Sequence, residues 1–230
     1  MDGSPGGCHV LSLPDSESSL RLPFPPVVLG IAGASGSGKT TLAAELARDL
    51  DGIYFPIDNY YRDLSHLPFS ERVKQNFDDP NLIESSLLME HVAALGRGEL
   101  IERPLYDFAT HTRVPNRTER IRPGSFVLVE GLFALYYSEL LPLYQFRVYV
   151  DTPDYICFER RMKRDTVERG RTPESVRVQY ETTVRPCSIC YVRPTGDHAD
   201  LIVDGKAALD WKVEQVLAEM RKRGLLRVLP

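Results

Sequence analysis

VVLGIAGASGSGKT, at residues 27–40, joins a short apolar run to a loop that contains three glycines. The apolar run is typical of a strand buried on both faces, and the helix-forming residues 41–50 predict a helix directly after the loop. The loop matches G-x-x-x-x-G-K-[ST], in which glycines let backbone N–H groups approach an anion. The following helix adds its unpaired N-terminal donors. The stretch therefore predicts a phosphate-binding loop between a buried strand and a helix.

Four more short apolar runs alternate with helical patterns along the chain. We predict strands at 53–57, 126–129, 147–150 and 201–203, and helices at 82–95, 153–164, 173–183 and 209–220. The helix at 82–95 is expected to end at Gly96 in the left-handed conformation. Strands that alternate with helices predict an α/β fold with a five-stranded parallel sheet flanked by helices. Residues 100–122 show a different alternation around two prolines, which predicts an inserted β-hairpin.

Composition and charge argue against several classes of protein. The chain has 230 residues, 43% of them hydrophobic and 26% charged, which suits one large domain. Its net charge of −4 argues against a nucleic-acid partner. The longest uncharged stretch, 22–38, is interrupted by prolines and glycines, so we expect no membrane partner. Four cysteines and the lack of a signal-peptide pattern predict a cytoplasmic location, and residues 1–26 predict a disordered tail.

Four residues carry the chemistry expected around the loop. Lys39 is expected to reach the β- and γ-phosphates of a nucleotide, and the Thr40 hydroxyl to bind Mg²⁺. Glu130 and Asp58 each end a predicted strand, and ligands of open α/β sheets bind beyond the carboxyl ends of strands. Glu130 takes the usual place of the metal-side carboxylate. Asp58 could accept the proton of an acceptor hydroxyl and lie near the metal, but a role as a helix N-cap or turn residue fits its spacing equally well.

A run of basic residues, interleaved with Asp165 and two glutamates, lies in the second half of the chain. Its members are Arg160, Arg161, Lys163, Arg164, Arg169, Arg171 and Arg177. We interpret 160–185 as a lid whose guanidinium groups close on a transferring phosphoryl group, with a hinge or turn at Gly170. The alternative is a solvated helix face. We expect that alternative to hold for Arg160, Lys163 and Arg177.

Seven stretches, in this order, resemble the uridine kinase (uridine–cytidine kinase) family over about residues 27–203. They are GASGSGKT (33–40), DNYY (58–61), NFDDP (76–80), PLYDFATHTR (104–113), VEG (129–131), RDTVERGR (164–171) and QYETTVRP (179–186). The resemblance implies a P-loop NTPase fold, with a P-loop kinase domain at 27–230, a nucleoside-binding hairpin at 100–122 and an arginine-rich lid. It implies Mg²⁺-dependent transfer of the γ-phosphoryl of ATP or GTP to the 5′-hydroxyl of uridine or cytidine, in pyrimidine salvage, by a homotetramer.

The resemblance also implies a role for each matching residue. The ATP-binding residues are Gly33, Ala34, Ser35, Gly36, Ser37, Gly38, Lys39, Thr40 and Thr41. The catalytic residues are Asp58 as base, Lys39, Arg164 and Arg169, and the metal-side residues are Thr40, Glu130 and Asp58. The nucleoside-binding residues are Asp78, Arg161 and Gln179 at the sugar, Tyr106 and His111 at the pyrimidine edge, Tyr61, Phe77 and Phe108 as aromatic walls, and Arg171.

Two other functions remain open on the sequence. A different P-loop small-molecule kinase, related to phosphoribulokinase or pantothenate kinase, would share the loop and a strand-end carboxylate but lack the Tyr106 and His111 pair. A non-catalytic nucleotide-binding module would keep the loop alone. Without the resemblance, His111 is more simply a surface histidine and Tyr106 a packing residue of the hairpin. If His111 does read the base, its neutral imidazole could serve uracil N3–H or cytosine N3 by changing tautomer.

Overall fold

The computed structural model describes residues 24–226, and the predicted tail lies outside the described residues except for its last three. The strands are β1 (Val27–Gly33), β2 (Ile53–Pro56), β3 (Ile101–Asp107), β4 (Thr112–Ile121), β5 (Phe126–Glu130), β6 (Phe146–Asp151) and β7 (Leu201–Asp204). The helices are α1 (Lys39–Asp49), α2 (Phe69–Arg72), α3 (Ser85–Gly96), α4 (Asp154–Val167), α5 (Pro173–Gln179), α6 (Arg185–Cys187) and α7 (Leu209–Lys222).

Five of the strands form one parallel sheet in the order β2-β5-β1-β6-β7. Strand β1 is central, so the predicted phosphate-binding loop that follows it lies at the middle of the sheet's carboxyl edge. Strands β3 and β4 pair antiparallel as a separate hairpin. The predicted α/β fold class, the five-stranded parallel sheet and the inserted hairpin are all confirmed.

Both faces of the sheet are covered, which explains the apolar character of its strands. All seven residues of β1 are buried. Leu29 and Ile31 pack with α1 and α7, while Val28 and Ala32 pack with α3 on the other face, as alternation along a strand requires. Each of these helices buries one side. None of the helices in residues 24–226 has the length and apolar character needed to cross a membrane.

Three predicted boundaries differ from the structure. Helix α3 ends at Gly96, but the left-handed glycine is Gly98, with a φ of +83°. Strand β2 stops at Pro56, and Ile57–Tyr60 forms a short 3₁₀ turn. The helix predicted at 173–183 is α-helical only as α5, because wide π-type turns follow at Tyr180–Val184 and Ser188–Val192. Each wide turn comes just before a proline, whose ring clashes with the carbonyl four residues earlier in a regular helix.

A close approach between the ends of β2 and β5 depends on Gly131. A Cβ placed on Gly131 would lie 2.2 Å from Ile57 Cγ1. Ile57 is fully buried and directly precedes Asp58. Only a glycine at this position therefore lets the ends of β2 and β5 come so near to each other. The same close approach brings Asp58, which follows β2, toward Glu130, which ends β5.

We expect Gly131→Ala to lower the free energy of unfolding by about 1–3 kcal/mol, the usual cost of overpacking a filled core. Urea denaturation measures this change as a lower midpoint. Gly96→Ala is the matched control, since its Cβ would lie 3.4 Å from Val28 Cγ2, an ordinary contact. The control should be neutral or more stable by up to about 1 kcal/mol. A Gly131→Ala protein as stable as the wild type would contradict the close approach.

Candidate active site

The phosphate-binding loop is held from outside by side chains of α4 and of the segment before it. Gly36 has a φ of +86°, and a Cβ on it would lie 2.5 Å from the carbonyl oxygen of Cys157, so no other residue fits without displacement. The carbonyl of Ser37 accepts hydrogen bonds from Thr152 Oγ1 at 3.0 Å and Arg160 Nη1 at 3.1 Å. Arg160 Nη2 also donates to Gly205 O at 3.0 Å. Arg160 is exposed, as expected for a solvated helix face, but its guanidinium also ties the loop to the end of β7.

Glu130, at the end of β5, is the residue predicted to lie near the metal, and three side chains contact it. It is buried, with 4% of its surface exposed. Thr40 Oγ1 donates to its Oε1 at 3.0 Å, and Lys39 Nζ lies 3.8 Å from the same oxygen. The Tyr54 hydroxyl of β2 donates to Oε2 at 2.7 Å. Tyr54 was not predicted, although its position on β2, next to β5, is the one signal that could have indicated it.

The residues proposed for Mg²⁺ suit that ion. Within residues 24–226 no cluster of three or more His, Cys, Asp or Glu side chains could hold a metal by itself. Mg²⁺ at phosphate sites needs no such cluster, because one or two carboxylates, a hydroxyl and the phosphates supply hard oxygen ligands. Thr40 and Glu130, 3.0 Å apart, and Asp58 close by provide such oxygens.

Asp58 lies in the 3₁₀ turn after β2 and has an unusual electrostatic environment. Burial and the Glu130 carboxylate raise the pKa of Asp58 to about 6, against the lowering effect of Lys39 and Arg169. No hydrogen bond or ion pair among residues 24–226 involves its carboxylate. The residue before the turn is Pro56, so Asp58 is not the N-cap. The side chain is therefore free to accept a proton, and it remains a carboxylate at neutral pH.

The hairpin and the segment after β2 form a chain of aromatic rings. The ring centres of Tyr61 lie 5.2 Å from Phe77 and 5.4 Å from Tyr106. Phe77 stacks on the His111 ring at 5.2 Å, and Phe108 lies 5.2 Å from Tyr106. These five predicted residues are thus brought together. Phe108 is 58% exposed, which places it at the solvent-exposed end of this chain of rings.

Two polar groups among these aromatic side chains, the Tyr106 hydroxyl and the His111 imidazole, could form hydrogen bonds with a ligand. The Tyr106 hydroxyl is buried without a hydrogen-bond partner in the described part of the chain. It lies near enough to Asp58 for that carboxylate to raise its pKa, in addition to the larger effect of burial. Burial also lowers the pKa of His111, so its imidazole is neutral at physiological pH. Neutral His111 presents one donor and one acceptor nitrogen.

Arg113 of β4 attaches the hairpin to the segment that carries Asp58. Its Nε donates to the carbonyl of Tyr61 at 2.9 Å, and its Nη1 lies 2.6 Å from Glu84 Oε2. Thr112 Oγ1 accepts from the backbone N–H of Leu64 at 2.9 Å. The aromatic pocket and the candidate base are therefore positioned by the same short stretch of chain.

The residues predicted to bind the sugar include a second partly buried acid, Asp78. Burial raises the pKa of Asp78, while Arg161 and Lys39 lower it. Arg161 is itself buried, and its Nη1 donates to Ser35 Oγ of the phosphate-binding loop at 2.9 Å. Its Nη2 donates to Gln179 Oε1 at 3.0 Å. Asp78, Arg161 and Gln179 thus lie together, between the loop and the aromatic pocket.

The arginines predicted to form the lid converge on one acid. Arg164, Arg169 and Arg171 all form ion pairs with Asp165, whose side chain is fully buried. Gly170, between two of them, has a φ of +62°, as predicted for a turn. Lys163 and Arg177 are exposed as expected. Asp165 was noted in the sequence only as one of several interleaved acids, because linear spacing gave no sign of its burial.

Comparison with known proteins agrees with this geometry. Residues 28–210 match the model of the phosphoribulokinase / uridine kinase family. The uridine kinase of Chloroflexus aurantiacus (strain J-10-fl) is 41% identical over 198 residues, which cover 85% of this chain and 94% of that protein. The uridine kinase of Salmonella paratyphi B is 44% identical over 185 residues, covering 77% and 86%.

Solved structures show the same fold at low sequence identity. D-glycerate 3-kinase from Cryptococcus neoformans var. grubii aligns with a TM-score of 0.58 at 16% identity, over 80% of this chain and 88% of that one. Shikimate kinase from Bacteroides thetaiotaomicron aligns with a TM-score of 0.50 at 15% identity, over 87% and 99%. The extent of the family match and the identity to the curated relatives lead to one conclusion: the chain belongs to the phosphoribulokinase / uridine kinase family and is a phosphotransferase with the P-loop kinase fold.

Proposed function

We propose that this kinase transfers the γ-phosphoryl group of ATP or GTP to the 5′-hydroxyl of uridine and cytidine, with Mg²⁺, forming UMP and CMP in pyrimidine salvage. The observation that carries the proposal is the place of Asp58. Its unpaired carboxylate lies in electrostatic reach of Lys39 and Glu130 on the phosphate side, and of Tyr106 on the aromatic side. A base in that position can contact the hydroxyl of an acceptor while this hydroxyl lies next to the terminal phosphate.

The donor binds along the phosphate-binding loop. Backbone N–H groups of 33–40 and the N-terminus of α1 hold the phosphates, and Lys39 reaches the β- and γ-phosphates. Mg²⁺, when bound by Thr40 and Glu130, neutralises charge on the phosphate oxygens. Arg164 and Arg169 face the transferring group and stabilise the charge that develops on it. Either ATP or GTP serves as donor in this proposal.

The acceptor binds between the loop and the hairpin. Asp78 accepts hydrogen bonds from the ribose hydroxyls and is itself oriented by the charge of Arg161. The uracil or cytosine ring lies among Tyr61, Phe77 and Phe108. Tyr106 offers its unpartnered hydroxyl to the edge of the base. His111 matches either pyrimidine by its choice of tautomer.

The phosphoryl transfer is a single displacement at the γ phosphorus. The nucleoside 5′ oxygen attacks the γ phosphorus, the bond from that phosphorus to the β–γ bridging oxygen breaks, and the nucleoside diphosphate leaves. Asp58 takes the proton of the 5′-hydroxyl as the new bond forms. The resemblance further implies a homotetramer, and the cysteine usage and lack of a signal-peptide pattern imply a cytoplasmic location; both are part of the proposal.

An ADP-release assay with a panel of acceptors tests this function. We expect turnover with uridine and cytidine, and little with adenosine or thymidine, because Tyr106 and His111 are proposed to read the edge of a pyrimidine and thymidine lacks the 2′-hydroxyl that Asp78 is proposed to bind. Ribulose 5-phosphate and pantothenate are included in the panel to test the wider family. Turnover with either of these and none with uridine would replace the proposed substrate class.

We expect Asp58→Asn to lower kcat by about 10²- to 10⁴-fold, the usual contribution of a general base, while ATP still binds. Asp51→Asn is the matched control, because Asp51 is exposed in the turn after α1, and it should keep wild-type turnover. Near-normal kcat in Asp58→Asn would remove Asp58 from the role of base.

The pH profile adds a check on the same residue. Because the Asp58 pKa is raised to about 6, the group is an active carboxylate above that pH and is protonated below it. The value of kcat/KM for uridine should therefore fall about tenfold per pH unit below about pH 6. A profile that stays flat down to pH 5 would speak against Asp58 as the titrating base.

We expect Tyr106→Phe to lower kcat/KM for uridine and cytidine about tenfold, without loss of stability. The removed hydroxyl is buried and has no partner in residues 24–226, so its loss breaks no hydrogen bond among those residues, whereas in the proposed site it loses a bond to the substrate. Tyr144→Phe is the matched control, since its hydroxyl is also buried without a partner but lies in the core under β1. The control should leave kinetics unchanged. Equal kinetics for both variants would place Tyr106 outside the substrate site.

A further inference from the structure

Asp165 of α4 is the most completely buried acid in the described chain, and four guanidinium groups surround it. Its side chain is 0% exposed. Its Oδ1 accepts from Arg164 Nε at 2.9 Å and lies 3.4 Å from Arg169 Nη1. In the proposed function, Arg164 and Arg169 act on the transferring phosphoryl group. This oxygen therefore holds the groups that would act on the transferring phosphate.

The other carboxylate oxygen contacts two arginines that the proposed function assigns to the acceptor. Asp165 Oδ2 lies 3.4 Å from Arg161 Nε and 3.6 Å from Arg171 Nη1. Arg161 and Arg171 also share Gln179, since both donate to its Oε1. The backbone N–H of Arg171 donates to the Asp165 carbonyl at 3.0 Å, which folds the chain after Gly170 back onto α4. One carboxylate thus connects two pairs of arginines with different partners.

The four arginines can lie this close together only because the Asp165 side chain lies between them. Four neighbouring guanidinium groups repel one another, and a buried carboxylate is stable only if it is paired. Removing the negative charge would leave the arginines without the group around which they converge. Each of them would then turn toward solvent or toward its remaining partners.

The two oxygens of the Asp165 carboxylate differ in hydrogen bonding. The contacts at Oδ1 include a well-formed hydrogen bond to Arg164. Oδ2 and Arg161 Nε are both buried and lack a hydrogen-bond partner, although they lie 3.4 Å apart. A small shift of Arg161 would convert this contact into a hydrogen bond. Arg161 is also the arginine whose charge acts most strongly on Asp78.

We propose that Asp165 is a positioning residue that couples binding of the acceptor to the placement of the phosphoryl-facing arginines. A nucleoside on Asp78 draws Arg161 into a tighter contact with Oδ2. The carboxylate turns as a unit, so that Oδ1 carries Arg164 and Arg169 toward the γ-phosphate. The inference rests on the proposed function, because it takes a nucleoside as the acceptor. Its consequence is that donor and acceptor bind more tightly together than apart.

Calorimetric titration of uridine, with and without a non-hydrolysable Mg²⁺–ATP analogue, measures this coupling. In the wild type we expect the analogue to lower the Kd of uridine at least about fivefold. In Asp165→Asn the ratio of the two Kd values should fall close to one, and kcat should fall more than KM for ATP rises. Glu168→Gln is the matched control, since this acid of the same segment is exposed, and it should keep the wild-type ratio.

A purely structural role for Asp165 gives a different result. Asp165→Asn would then lower the Tm but keep the wild-type Kd ratio, and that result would overturn the inference. A wild-type protein that phosphorylates uridine without any coupling would overturn the inference alone. A wild-type protein that does not phosphorylate uridine would overturn the proposed function and, with it, this inference.

A second measurement needs no variant and so does not depend on the folding of Asp165→Asn. Uridine alone, added to the wild type, should slow amide hydrogen exchange at 168–172, because Arg169 and Arg171 become more firmly held. Exchange rates at 168–172 that stay unchanged under saturating uridine would contradict the coupling. Slower exchange there, with 209–222 of α7 unaffected, would support it.

Discussion

The buried carboxylate of Glu130 is the interaction on which the site depends. It ends β5 and receives hydrogen bonds from the first turn of α1 and from β2, through Thr40 and Tyr54. The loop before α1 and the turn after β2 therefore have a fixed separation. Without that separation, Asp58 would have no defined position relative to the phosphates. The absence of a side chain at Gly131 allows the same closeness on the backbone side.

Charge balance organises the rest of the cleft. Asp58 and Asp78 are both acids with raised pKa values, and burial is the first cause for each. Lys39 and neighbouring arginines act against the effect of burial and lower the pKa of both acids. The site thus holds opposing charges near one another without fully pairing them. Groups left in this condition are available to a substrate, whereas groups in saturated ion pairs are not.

Much of this architecture could be predicted from the sequence, because it depends on local patterns. The apolar run at 27–32, the glycine loop and the alternation of strands and helices each follow from short-range chemistry. The site residues came from motif matches, and the structure brings Tyr61, Phe77, Tyr106 and His111 into one chain of ring contacts.

What the sequence could not indicate depends on contacts between distant elements. Tyr54 meets Glu130 across 76 positions, and Arg160 meets Ser37 across 123. The burial of Asp165 follows from α4 packing against α5 and the loop, so a charged helical run looked like a solvated face. The wide turns at 180–184 and 188–192 follow from Pro186 and Pro194, whose rings do not fit a regular helix.

The attachment of the hairpin by Arg113 has a consequence for how substrate choice can change. Arg113 binds to backbone carbonyls and to Glu84, not to the side chains that line the pocket. The inward-facing residues of β3 and β4 can therefore be exchanged while the frame that supports the phosphate transfer keeps its shape. If the proposed function holds, a few substitutions on the β3–β4 hairpin could change the acceptor, while the residues that transfer the phosphoryl group stay the same.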